Sequence, residues 1–189
     1  MQLKRTTLTA LLIVLATLSF AAAAITLTNI TEWHVQTPGT PPVVKVKGAD
    51  VDSNLLSVST NTASDGTNRT VLTIKGYTGD PTKYDEVIKI CNKDASRTFS
   101  VSLKYNGTLG GGWTYVKYLK LWLRTPSGQL IGPLTINSGT SVGTSIGPVN
   151  VAPNSCVSVP AEVLVDASTP SSQWNTDLIT IEVDVVSTG

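Results

Sequence analysis

Leu178-Ile179-Thr180-Ile181-Glu182-Val183-Asp184-Val185-Val186 decides the fold class. Ile179, Ile181, Val183 and Val185 alternate with Thr180, Glu182 and Asp184, the period of two expected of a strand with one buried and one wet face. On a helix the same residues would scatter around the whole circumference. The pattern recurs upstream. Residues 98–105 place Phe99, Val101, Leu103 and Tyr105 on one face, and 85–92 reads as their pairing partner. Residues 113–124 form the longest run, with Tyr115, Leu119, Leu121 and Leu123 on one side and Val116, Tyr118 and Trp122 on the other. Residues 42–47, 54–60, 70–77, 129–136 and 155–166 read as further strands between Gly, Pro and Asn punctuation. Outside the first residues no stretch carries a helical period. The expectation is an all-β chain: a jelly-roll-like β-sandwich of about ten strands.

The N-terminus sets the compartment. Lys4 and Arg5 precede an apolar run over 8–20, and Ala21 to Ala24 supply small residues for a signal peptidase. These are the three parts of a cleavable export signal. Residues 1–24 are assigned to it, residues 25–36 to a separate N-terminal strand, and 37–189 to the sandwich domain. A retained membrane helix would need about 20 apolar residues, and this run is shorter and broken by Thr9, Thr17 and Ser19. A type IV pilin would keep the run as a helix continuing into Ile25-Thr-Leu-Thr-Asn-Ile-Thr31, a β-branched stretch that disfavours it. The expected location is extracellular, with no membrane anchor after cleavage.

Composition narrows the function. Of 189 residues 27 are Thr and 18 Ser, and only 14% are charged. Without the signal the charge is near zero, which argues against nucleic acid and anionic lipid as partners. The one histidine, His34, lies in the N-terminal strand without a G-x-S-x-G. No zinc-protease motif occurs. Asp50-x-Asp52-x-Asn54 opens like a calcium loop, but Leu55 replaces the required Gly and Asn61 the closing acid. The run from Gly139 through Gly143 to Gly147 has no Lys after it and reads as a hairpin or rim loop, not a phosphate loop. No catalytic residue, cofactor or metal is therefore assigned.

Cys91 and Cys156, the only two cysteines, read as a disulfide in an exported chain, with two buried thiols as the alternative. Sequons at Asn29, Asn68 and Asn106 are candidate N-glycosylation sites. Asn68 and Asn106 fall in turn-like sequence, and Asn29 in a strand pattern. Trp113, Trp122 and Trp174 are either packing residues or, in a monomeric surface module, platforms for carbohydrate or protein.

Residues 25–35 put Ile25, Leu27, Trp33 and Val35 on one face, with Asn29 and Thr31 in the same register, followed by the hinge Pro38-Gly39-Thr40-Pro41-Pro42. Such a strand either pairs within its own sandwich or completes the sheet of the next molecule as a donor strand. A head-to-tail contact of that kind that does not close makes a filament.

The export signal, the immediate Thr-rich strand, Tyr84-Asp-Glu-Val-Ile-Lys-Ile-Cys-Asn-Lys-Asp94, Thr98-Phe-Ser-Val-Ser-Leu-Lys104, and the closing segments 151–166 and 177–186 together resemble the TasA/camelysin-type jelly rolls of biofilm fibres. Within that group they are most similar to archaeal bundling-pilus and thread subunits. The resemblance implies a homopolymer assembled head-to-tail by donor strands, with neighbouring filaments bundled into a biofilm matrix. The metalloprotease activity ascribed to camelysin-like proteins is not carried over to a chain with one histidine.

Overall fold

The computed structural model describes residues 41–51, 54–62 and 68–189, which fall within one compact unit, Gly39–Gly189. The expected signal (1–24) and N-terminal strand (25–36), with Ile25, Leu27, Asn29, Trp33, His34 and Val35, lie outside the described residues, as does Asp52.

Ten strands occur among the described residues: β1 (Val43–Lys47), β2 (Leu56–Thr62), β3 (Asn68–Ile74), β4 (Thr82–Asn92), β5 (Phe99–Gly111), β6 (Val116–Arg124), β7 (Leu130–Ile136), β8 (Ser145–Val151), β9 (Cys156–Val165) and β10 (Ile179–Thr188). A five-stranded antiparallel sheet runs β1-β4-β9-β6-β7, a three-stranded one β10-β5-β8, and β2-β3 form a hairpin. The two larger sheets share one core in the manner of a β-sandwich. Ile90, Val157, Val159, Leu121, Leu123 and Leu134 contribute from the first, and Val101, Leu103, Tyr105 and Val151 from the second. The hairpin adds Leu56, Val58, Leu72 and Ile74. Tyr84 anchors it: its hydroxyl lies between the carbonyl oxygens of Leu55 and Lys75, and burial raises the phenol's pKa.

Several strand readings change in the folded chain. The segments 85–92 and 98–105 do not pair, because β4 and β5 belong to opposite sheets. Asn106-Gly107 is no turn: β5 continues to Gly111 and, at 13 residues, is the longest strand described. The continuation is possible because β5 carries two extra residues opposite β10, at Asn106 and Leu109. Such bulges kink a strand and push the extra residue outward, and both residues are exposed. Val116 joins the core with Leu121 and Leu123 instead of opposing them. A register shift between Val116 and Tyr118 inserts Lys117 and reverses the alternation. The expected rim loop holds an additional strand, β8, from Ser145.

Pro160 sits in β9 at the centre of the large sheet, where a residue without an N–H normally breaks a ladder. The neighbouring β4 bulges opposite it, between Tyr84 and Ile88. Residues 48–50 take up the displaced backbone: Gly48 N–H donates to Val87 O, and Asp50 N–H to Glu86 O, each at 3.2 Å. Glu86 N–H in turn donates to Asp50 Oδ2 at 2.8 Å.

For reference, the lower end of the sandwich is where β4 finishes and β9 starts, and the upper end is where β9 finishes and β10 starts. At the lower end Asn92, 1% exposed, satisfies its whole amide. Its Nδ2 donates to Arg97 O (2.7 Å) and Val151 O (3.0 Å), and its Oδ1 accepts from Asp94 N–H (2.9 Å). One side chain thus joins β4, the 93–98 turn and β8 across the sheets.

Beside it, Cys91 and Cys156 are joined as a disulfide, 65 residues apart in sequence. They face each other directly in the β4–β9 ladder. The adjacent pair exchanges a hydrogen bond, Asn92 N–H to Ser155 O, so the cysteines occupy the non-bonded position where side chains come closest. Closing a loop of that length removes about 4 kcal/mol of unfolded-state entropy in the chain-entropy model. Cys91→Ala with Cys156→Ala is expected to lower stability by about 2–4 kcal/mol. Denaturant melts of the oxidised parent, the reduced parent and the double variant should show the last two unfolding together and earlier.

Candidate functional site

Each open sheet ends in two rows of unpaired backbone N–H and C=O groups, a template for another strand unless something blunts it. The two larger sheets present four such edges, β1, β7, β8 and β10. They are not treated alike.

β7 and β8 lie against one another on one side of the sandwich and carry the same device. β7 contains Ile131-Gly132-Pro133-Leu134 and β8 contains Ile146-Gly147-Pro148-Val149. Each Gly-Pro pair coincides with a register shift, opposite Trp122 in β6 and Ser102 in β5. Proline removes a donor and the bulge turns the edge away. Glycine is required at both shifts. Gly132 has φ +120° and Gly147 φ +101°, and a Cβ on Gly132 would stand 3.1 Å from Ile146 Cδ1 on the facing edge.

β1 is blunted differently. It is only five residues long, and its register sets Lys45 opposite Ile90 and Lys47 opposite Ile88. Cross-strand partners share a face, so both lysines are on the core side of an edge strand, a charge placement that discourages strand addition.

β10 has none of these features. Its ten residues, Ile-Thr-Ile-Glu-Val-Asp-Val-Val-Ser-Thr, include no Pro, Gly or Lys. The two bulges in its pairing add residues to β5, so β10 itself runs without an inserted residue. Its apolar face (Ile179, Ile181, Val183, Val185) packs on the core but stays only half-buried. Among the described residues β10 therefore combines a row of backbone groups with no partner strand and an incompletely covered apolar stripe.

The outer face of the large sheet holds a polar cluster that sequence reading did not single out. Glu162 of β9, 9% exposed, accepts from Tyr118 Oη at 2.8 Å and Lys120 Nζ at 3.0 Å, both on its Oε1. Lys83 Nζ stands 3.7 Å from Oε2. The Tyr118 hydroxyl, then Lys120, hold the Glu162 carboxyl below its ordinary pKa. Lys120 is correspondingly raised by Glu162. Tyr118 shares in the sequence pattern a face with Val116 and Trp122, and only the β4-β9-β6 order makes these four residues neighbours. Two turn carboxylates are also depressed: Asp94 by the N–H groups of Ser96 and Arg97, and Asp166 by Lys117 and Ser168.

The remaining sequence candidates are dispersed. Asn106 is exposed on β5, its Nδ2 donating to Glu182 Oε1 at 3.1 Å. Asn68 is the first residue of β3. Trp113 packs partly buried against the core, Trp122 is half-buried, and Trp174 is 58% exposed. Asp50 is engaged by the β4 bulge. The β8 edge could have been found from the repeated Ile-Gly-Pro-Leu/Val in 131–134 and 146–149, a short signal of paired edge bulges.

No protein-family model matches the chain, and no curated protein sequence is significantly similar to it.

Because the folded pKa of Glu162 lies below its ordinary 4.5, its contribution to stability is present above that value and is lost as pH falls through the folded pKa. Glu162→Gln keeps the shape and removes the charge. It is expected to cost about 1–2 kcal/mol at pH 7, with the gap from the parent closing in acid. Thermal melts across a pH series from 7 to about 3 check this; a gap independent of pH would refute it.

Proposed function

We propose that the chain is a structural subunit of an extracellular filament, polymerising by insertion of residues 25–36 of one copy along the β10 edge of the next. The observation that carries this reading is the unequal treatment of the edges. Among the described strands of the two larger sheets, β7, β8 and β1 are blunted, and β10 is long, regular and half-covered. The consecutive strands β7, β8, β9 and β10 alternate between the two sheets, which supports a jelly-roll-like sandwich with β10 as its acceptor strand.

The N-terminal segment has the properties a donor needs. Its 25–35 stretch puts Ile25, Leu27, Trp33 and Val35 on one face, with Asn29 and Thr31 between them on that face, in the period-two spacing of an added strand. Each of these four contributes roughly 1.5–3 kcal/mol when fully buried. Together about 6–12 kcal/mol, with a ladder of backbone hydrogen bonds added, they act against an association cost of some 4–15 kcal/mol. Removal of the signal after Ala24 would free the donor at the cell surface. The role is structural, and its partners are identical copies and neighbouring filaments. The disulfide and the sequon at exposed Asn106 suit an extracellular location.

Negative-stain electron microscopy tests the proposal. The processed chain, 25–189, is expected to form thin regular fibres, and a chain beginning at residue 36 is expected to form none. Monodisperse monomers from both, even when concentrated, would overturn it.

A further inference from the structure

Exposed large apolar side chains are unevenly placed. Of the eight among the described residues, four gather at or near the upper end: Tyr77 (63% exposed), Leu109, Val142 and Trp174 (58%). Gly79 N–H bonds to Val165 O, at the top of β9, which places Tyr77 there. Trp174 closes the 3₁₀ turn Ser171–Gln173 between β9 and β10. Lys75 Nζ donates to Asn175 Oδ1 at 3.3 Å, tying the segment that carries Tyr77 to the one that carries Trp174. Toward the lower end, polar turns prevail, exemplified by the Asp94 side chain bonding Ser96 and Arg97, and Leu130, beside Arg124, is an isolated exposed apolar side chain there.

Strand directions show what would cross this upper end, given the donor-strand reading above. β10 runs downward, from Ile179 beside Gly111 to Thr188 beside Ser100. A strand added antiparallel to it, as every other pair in the two larger sheets is, runs upward. Residues 25–35 extended span about 37 Å, against about 33 Å for β10. Val35 then emerges at the upper end of the receiving copy. Residues 36–42 must cross that end to reach β1 of their own domain, which begins at the lower end with Val43 opposite Asn92. That connection is Gln36-Thr37-Pro38-Gly39-Thr40-Pro41-Pro42. Prolines at this spacing favour an extended polyproline-type conformation, with little entropy left to lose, that docks on exposed aromatic rings.

We propose that the upper end, through Trp174 and Tyr77, is the axial subunit contact and receives the Pro38–Pro42 linker of the next copy. The filament is then polar, with each domain's lower end seated on its predecessor's aromatic end. The contact also sets donor polarity, since a parallel insertion would deliver the linker to the polar lower end.

The test uses the processed chain and measures the critical concentration for assembly by sedimentation. Trp174→Ala and Tyr77→Ala remove exposed groups, so each variant is expected to fold and melt as the parent does. Each should raise the critical concentration about tenfold, and the double variant roughly a hundredfold. Pro38→Ser with Pro41→Ser, which touches no described core residue, should raise it in the same direction. A blue shift of tryptophan fluorescence on assembly should shrink in Trp174→Phe. If the parent assembles and requires residues 25–35, but the aromatic and proline variants assemble at its concentration, the axial contact is wrong and the filament reading stands. If the parent never assembles, both are overturned.

Discussion

An open β-sheet cannot satisfy its outermost backbone groups by itself, and the disposal of those groups governs this molecule. On one side of the sandwich two edges are turned against each other, each broken by a Gly-Pro bulge. On the other, a short lysine-bearing strand stands as one edge and the long β10 as another. Three edges carry a feature that resists pairing and one does not.

Irregularities inside the sheets have particular causes. Pro160 in a central strand is matched by the bulge in β4, and that bulge is held by the backbone of residues 48–50. Lys117 shifts the register so that Val116 can enter the core. Asn106 and Leu109 are displaced outward from β5 while β10 opposite them stays regular. Each bulge puts side chains where simple alternation would not, and two of them are exposed on β5: the sequon asparagine Asn106, and Leu109 near the upper end.

The tightly tied parts and the apolar exposed parts are separate. The disulfide, the Asn92 amide network and the Glu162 cluster stiffen the lower end and the outer face of the large sheet. The upper end and the β10 edge keep apolar surface uncovered. Covalent and buried polar ties resist local opening, and in the proposed filament the apolar surface would be the part that meets the neighbouring copy.

Strand identity was legible in the sequence because apolar and polar residues alternate with a period of two, and that local rule holds for most segments from Val43 to Thr188. The cysteine pair was legible because there were only two. Pairing was not. The segments 85–92 and 98–105 look like a hairpin, yet they lie in opposite sheets, since alternation marks which face is buried and says nothing of the neighbour. The sense of Asn106-Gly107 was lost because a bulge and a turn share the same residues. The polar cluster around Glu162 and the upper aromatic end were equally hidden, since their members come from distant segments. By itself, then, the sequence determined the strands, the buried faces and the disulfide, which depend on local pattern and composition. Only the tertiary structure decided which edges meet, which are blunted and which one carries no blunting feature, because an edge exists only once strand order is set by contacts far apart in the chain.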